Sequence, residues 1–506
     1  MAFVNPGLAL PLSADEATQR RVEAAVRFLA DDLLEGRGTP SRGLDIAALF
    51  LSNELRAAGW QPGNTDSYLQ TYAVRTVSPQ KTQYRVSING RELDPQKFVF
   101  LTFGMDPSAT PVRFDLVFAG YGVYAPERGV DDYAGVDLRG KASVALLGAR
   151  WELDPAAVHA YDRAAGKAVH VGVRNGAMLI YVSEEFEAPV ESPPSAEVAV
   201  LRGMTWLPIS IVPEFKGKPT WGVSPLLVIT PPEFDRTLAN VAGGTYREWT
   251  ERLGAKEYHA RPLAASVEIK IQTEPEEGQA HNVAGILRGV DPVLRDEWVV
   301  LTAHYDHLGC RQVPACRDVV YNGADDNASG TAAVLEVARQ LASGKPPHRS
   351  VLVLFTSGEE MGLLGSAYYA LHPLVADGHV VANINVDMVG RSTGAVAALA
   401  NGCEEIFSKA VEIGKQAQVD VLPDAHPTWR LIYFVDSYHF ARCSVPFIEF
   451  FTDIHSDYHQ PSDEVDRIRF GELGRITEAI SRLTDYYVQG GKGPSSERPG
   501  WFLTPD

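Results

Sequence analysis

The chain has 506 residues, 45% of them hydrophobic and 22% charged, with a formal net charge of -18. That length accommodates two or three domains with ample core. The acidic balance argues against nucleic-acid or anionic-membrane binding, which basic patches favour, and no run of about twenty apolar residues is present to span a bilayer.

The opening MAFVNPGLALPLS lacks the basic start of a signal peptide. It reads as a stub left after one was removed, so export to the periplasm or the medium is expected, with a cytoplasmic location as the alternative. Residues 15–35 carry Val22, Val26, Leu29 and Leu33 at helical spacing and predict an amphipathic helix ending at Gly36. A second helix is expected from Leu44 to Ala58, stopped by Gly59. From about 77 the texture changes to β-formers. YRVSINGREL places an Asn-Gly turn between alternating segments, a strong hairpin signal. FDLVFAGYGVYAPERGVDDYAGVDLRGKASVALLG, AMLIYVS and SPLLVIT continue in short strands, and no catalytic constellation lies among them. A separate, mainly β domain is therefore expected over 77–272, inserted between an N-terminal helical part, 1–76, and a core over 273–490, with 491–506 a loose tail.

In that core, NVAGIL, EWVVLTA, SVLVLFTS, VVANINV and VPFIEFF are short apolar runs that alternate with helical segments. The alternation predicts an α/β sandwich on a mixed, mostly parallel sheet. Ligands of open α/β sheets bind beyond the carboxyl ends of the strands. His304 follows EWVVLTA, Glu359 and Glu360 follow SVLVLFTS, Asp387 follows ANINV, His459 comes soon after VPFIEFF, and Asp326 stands at a helix entry. His, Asp, Glu, Asp and His make the ligand set of a two-zinc hydrolase: His304 with Asp387, Glu360 with His459, and Asp326 bridging. Glu359, adjacent to a ligand but left free, suits a general base. His307 and His455 are surplus to that count and are read as structural or substrate-side groups. Four cysteines in a chain this long do not make a disulfide scaffold. Cys310 and Cys316 nevertheless flank a loop, CRQVPAC, that a disulfide could close in an oxidising compartment, while Cys403 and Cys443 read as buried thiols.

AHYDHLG, GADDNASGTAA, SGEEMGLLGS, NVDMVG and DYHQPSDEVDRI resemble the motifs of metallopeptidase family 28, the two-zinc aminopeptidases that also include glutamate carboxypeptidase II. The resemblance reaches upstream to LADDLLEGRGTPSRG, and GYGVYAPERGVDDYAGVDLRGK is similar to the protease-associated domain that many members carry as an insertion. It implies a three-layer sandwich of the zinc exopeptidase type and two zinc ions per chain. Among the residues, it implies that Asp326 is the bridging acid of GADDN, that Asp306 supports His304, that Tyr458 serves the oxyanion, and that the Asp326–Asn327 peptide is cis. The sequence departs from the family at FVDSYHF, where Ser437 follows the Asp and His439 stands two positions on. Peptides with a free amino terminus are the expected substrates, because carboxylates suit an α-ammonium and the arginines among the motifs, Arg391, Arg430 and Arg442, are dispersed. The alternatives are a carboxypeptidase or dipeptidase of the glutamate carboxypeptidase II type, a one-zinc glutaminyl cyclase type, and a non-catalytic receptor-like relative. The last two predict missing ligands, and none is missing.

Overall fold

The computed structural model describes residues 14–78, 81–101, 111–125, 128–148, 163–184, 209–215, 224–253, 258–310, 319–375, 380–400, 403–425 and 430–494. Helix α1 (Ala14–Leu29) buries Val22, Val26 and Leu29. It stops one turn earlier than its apolar periodicity suggests, and Leu33, expected on the buried face, is 82% exposed. The cause is a short turn over Asp32–Arg37 in which Glu35, Gly36 and Arg37 take φ of 50°, 66° and 49°, carrying Arg37 inward. Gly36 is required there: a Cβ would lie 2.4 and 2.5 Å from the carbonyl oxygens of Gly309 and Tyr321. Helix α2 (Arg42–Ala57) is capped by Ser41, whose hydroxyl accepts from the Leu44 amide.

Strands β1 (Leu69–Val77) and β2 (Glu276–Leu287) form a long antiparallel ribbon. Between them the chain builds a second sheet of eight strands drawn from residues 83 to 272. The expected hairpin is present in it, with Gln83–Ile88 pairing with Arg91–Glu92 through Asn89 and Gly90 at φ 51° and 74°. One short strand of this stretch, Ile209–Ile211, pairs instead with β1 at the edge of the first sheet.

After β2 the elements follow the predicted alternation. They are β3 (Trp298–His304), α3 (Gly330–Ser343), β4 (Ser350–Thr356), α4 (Leu364–Leu371), β5 (Val380–Val386), β6 (Ala395–Leu399), α5 (Glu404–Gln416), β7 (Asp420–Pro423), α6 (Ser437–Arg442), β8 (Phe447–Phe451) and α7 (Phe470–Val488). The order across the first sheet is β1-β2-β4-β3-β5-β8-β6-β7. Only β4, β3, β5 and β8, at the centre, form a continuous parallel run. The expectation of a mostly parallel sheet is corrected by the β1–β2 ribbon and its antiparallel ladder to β4, and by β6 running antiparallel to β8. The result is a mixed α/β sheet.

Strand residues alternate between its faces with period two. Val299, Leu301, Val351, Val353, Ile384 and Phe450 pack under α1, α2, α3, α5 and α7. Trp298, Val300, Leu352 and Leu354 face the other way, against Tyr369 of α4 and Phe440 of α6. Near-continuous apolar strands are what helices on both faces demand.

Candidate metal centre

The parallel strands end together, so whatever follows them converges. His304 closes β3, and Asp306, two residues on, is fully buried. The Asp306 carboxylate accepts from the Thr39 hydroxyl at 3.1 Å and from the Glu359 amide at 3.2 Å. Thr39 in turn accepts from the Gly358 amide at 3.1 Å, so the loop after β4 is tied to the loop after β3 through one side chain. Asp306 Oδ1 stands 3.7 Å from His304 Nδ1, the place of a group that orients the ring.

Asp326 enters on a widened, irregular helical turn, Ala324–Ser329, that leads into α3, and the Asp326–Asn327 peptide is cis. Its neighbours anchor it to the end of β5 and the segment that follows. The Asn327 amide group donates to the Val386 carbonyl and accepts from Gly330 and Met388. Asp325 accepts from the Gly390 amide and the Ser329 hydroxyl, and its other oxygen meets His455 Nε2 at 3.1 Å. Asp387 and His459 arrive from the ends of β5 and β8, the latter with φ 56°.

The donor atoms form two groups that share Asp326. His304 Nε2 lies 3.4 Å from Asp326 Oδ1 and 3.3 Å from Asp387 Oδ1. His459 Nε2 lies 3.2 Å from Asp326 Oδ2 and 3.0 Å from Glu360 Oε2. Possible ligand atoms of His304, Asp326 and Glu360 fall within 4.8 Å of one another, as do those of His304, Glu359 and Asp387. Glu359 is thus as close to the cluster as the other acids, and distance alone does not separate a ligand from a base.

Burial and crowding set the protonation states. Burial is the largest influence on Glu359 and raises its pKa; His304 opposes this, but Glu360 and Asp387 add to it, and the carboxyl ends well above its ordinary value. Burial also pushes Asp387 up, to about 6, against the pull of His304. Glu360 goes the other way: burial and Asp326 work against its charge, yet His459 and His307 hold it at about 2. Asp326 is likewise held well below its usual range, the three imidazoles outweighing burial. Burial disfavours charge on His304 and His459, but the carboxylates around them prevail, holding His304 well above the ordinary range and raising His459 to about 10. Tyr458 stacks on the His459 ring at 3.8 Å, and burial together with the same carboxylates keeps its phenol protonated.

The remaining sequence candidates fall outside the two groups. His307 is fully buried with Nδ1 2.7 Å from Glu360 Oε1, a structural neighbour of that acid, and His455 holds Asp325. Ser437 donates to the buried Glu449, while burial and Arg442 lower His439 to about 3. The arginines are dispersed as expected: Arg391 pairs with Asp457 at 2.5 Å, Arg430 lies over the Tyr124 ring and Arg442 over that of Tyr438. Cys316 lies outside the described residues, and its pairing with Cys310 with it. Arg37, Thr39 and Asp463 were not singled out from the sequence. Arg37 and Thr39 sit in the quoted segment LEGRGT and Asp463 in DYHQPSDEVDRI, and all three act on backbone groups, which leave no pattern in a sequence.

Imidazoles and carboxylates gathered at the carboxyl edge of a mixed α/β sheet form a candidate metal centre. Residues 282–484 match the model of Peptidase family M28. A probable zinc metalloprotease of Leptosphaeria maculans is 34% identical over 137 residues, 27% of this chain and 29% of that protein. The aminopeptidase YwaD of Bacillus subtilis is 32% identical over 142 residues, 28% and 29% of the two chains. A probable glutamate carboxypeptidase, VP8 of Zea mays, is 30% identical over 193 residues, 36% and 24%. The alignments thus span less than a third of these relatives' own lengths. An aminopeptidase from Aneurinibacillus sp. strain AM-1 superposes with a TM-score of 0.51 over 97% of this chain and 98% of its own at 16% identity, a likeness of fold. No helix among the described residues is long and apolar enough to cross a membrane.

Proposed function

We propose that this chain is a two-zinc aminopeptidase in which His304, Asp387 and Asp326 would hold one ion, and His459, Glu360 and Asp326 would hold the second. The observation that carries the reading is the donor spacing. Two ligands about 2.0–2.1 Å from a tetrahedral zinc stand about 3.3 Å apart, and the four imidazole-to-carboxylate distances in the two groups run from 3.0 to 3.4 Å. The charge supports it as well. Five carboxylates, Asp306, Asp326, Glu359, Glu360 and Asp387, are packed around three imidazoles, those of His304, His307 and His459, while the nearby buried Arg37 directs its donors to carbonyls. Buried carboxylates in such surplus call for cations.

Zinc bound there supplies Lewis acidity toward both a water and the scissile carbonyl. Glu359, whose environment favours holding a proton, accepts one from the attacking water and returns it to the leaving amine. The protonated Tyr458 donates to the oxyanion, and Asp306 keeps the His304 ring in its plane. A terminal α-ammonium is met by Glu359 and Asp387. The dispersal of Arg391, Arg430 and Arg442 disfavours a carboxypeptidase, which would grip a terminal carboxylate with grouped cations. We read the eight-stranded unit as a protease-associated-like insert that partly roofs the site, together with the segment from Val212 to Phe215, whose cluster also takes in Met361 beside Glu360.

The test is hydrolysis of a tripeptide with one end blocked, alongside metal analysis of the protein. Two zinc ions per chain are expected. Acetylating the amino end is expected to abolish turnover and amidating the carboxyl end to leave it; the reverse pattern would move the protein to the carboxypeptidase branch.

A further inference from the structure

We infer that Asp463 is a positioning residue for Asp326, setting the carboxylate shared by both metal positions through backbone amides; the inference rests on the metal-binding reading above. The first amides of a helix have no partner within it and must find one elsewhere. At this entry three consecutive amides end on one residue. Asp463 Oδ2 accepts from the amides of Asp325 at 2.9 Å and Asp326 at 3.0 Å, and the Asp463 carbonyl accepts from Ala324 at 3.0 Å. Asp463 is fully buried and lies four residues after His459. Its contacts therefore tie the Asp326 segment to the His459 segment.

The same stretch is held from its other side by the buried guanidinium of Arg37. That group donates to the carbonyls of Asn322 at 2.7 Å and Gly323 at 3.1 Å, to Tyr305 at 2.8 Å between His304 and Asp306, and to Leu29. Carbonyls on a buried cation and amides on a buried anion hold residues 322–326 where no sheet or regular helix does. The connections from Asp325 and Asn327 run to residues on either side of Asp387, namely Val386, Met388 and Gly390. Asp463 supplies the corresponding link to His459, and so governs how the two donor groups meet on one carboxylate.

The test is zinc affinity by competition with a chromophoric chelator on the full-length chain, comparing wild type, Asp463→Asn, Asp463→Ala and Asp463→Ser, with the melting temperature of each metal-free protein as a second reading. Asn keeps an oxygen able to accept both amides and is expected to stay close to wild type. Ala removes the acceptor, and Ser leaves a hydroxyl too short to serve both amides. Each is expected to weaken zinc binding about 10- to 100-fold, the usual worth of a group that orients a ligand, and Ser carries the comparison if Ala fails to fold. A folded Ala or Ser variant that binds zinc as tightly as wild type while melting lower overturns the inference, because Asp463 would then serve only the fold. Equal weakening in Asn and Ala also overturns it, since charge and not amide contact would be at work. A wild-type protein that binds no zinc overturns the metal reading, and this inference with it.

Discussion

Glu359 and Glu360 are adjacent in the chain and opposite in their electrostatics, one pushed well above its ordinary pKa and the other held at about 2. Glu360 also lies 3.0 Å from His459 Nε2, and that placement is the basis for giving it the metal and its neighbour the proton. Glu359→Ala is expected to keep its zinc and lose on the order of 10²-fold or more in turnover, whereas Glu360→Ala is expected to lose zinc; the reverse result in metal analysis would exchange their roles. Asp387 gives a prediction in pH. Its carboxyl is raised from 3.8 to about 6 in the metal-free fold, so the folded chain retains a proton that the unfolded chain has released. The stability this contributes is full below the unfolded value and is lost as pH rises through about 6. Metal-free Asp387→Asn is therefore expected to match wild type near pH 4 and to melt higher than it at pH 7, and with zinc present the order should reverse because a ligand is gone. Thermal melts at both pH values with and without chelator check this. Residues that touch the centre with their side chains were legible from the sequence because strand ends announce them. Arg37, Thr39 and Asp463, which hold backbone, were not.

At the scale of elements, the strands of the sheet centre were readable because each is apolar on both faces, and the helices between them because their periodicity changes to 3.6. The ribbon β1–β2 was not: Leu69–Val77 runs up to the point where the texture changes, and its pairing partner lies some two hundred residues later, a separation no local pattern bridges. The close approach of α3 to β5 was equally hidden. Gly330, the first residue of α3, has ordinary helical angles, yet a Cβ there would lie 2.3 Å from Asn327 Oδ1 and 2.4 Å from the Val386 carbonyl oxygen. The glycine serves packing, since it lets the helix that follows Asp326 sit against the strand that precedes Asp387. Gly330→Ala must push these elements apart, and is expected to cost about 1–3 kcal/mol, the range for an overpacked core. It should weaken zinc binding in the same protein, because the displaced elements carry two of the proposed ligands. Denaturant unfolding and zinc competition on one preparation measure both. A variant with lowered stability and unchanged zinc affinity would show that the approach matters to the fold alone.

Across the whole molecule, a change of texture at 77 and its reversal near 282 marked a unit of different character, and the second sheet is built from that stretch. What the sequence does not disclose is how that unit is seated, because an apolar residue pattern does not say which element it faces. Val117, Ala145, Leu179, Tyr181, Leu226 and Val228 of the second sheet share one buried cluster with Leu363, Ile432, Tyr433, Val435, Tyr438 and Phe447 of the first unit. Burial of this kind stabilises by roughly 25 cal/mol per Å² of apolar surface removed from water, so the two sheets are expected to unfold together and not as tethered halves. Leu363 comes three residues after Glu360, and it adopts φ 59° at the entry to α4. Joining residue 76 to 273 would uncover this face and loosen the support behind the Glu359–Glu360 loop. The excised core is therefore expected to bind a hydrophobic dye, to aggregate, and to hold zinc more weakly than the intact chain. Replacing Ile432, Tyr433 and Tyr438 with polar residues in the excised core should restore solubility without restoring the original zinc affinity. An unmodified core that remains monomeric, with unchanged zinc affinity and a melting temperature near that of the intact protein, would show that the shared cluster contributes little and that the insert acts only on substrate access.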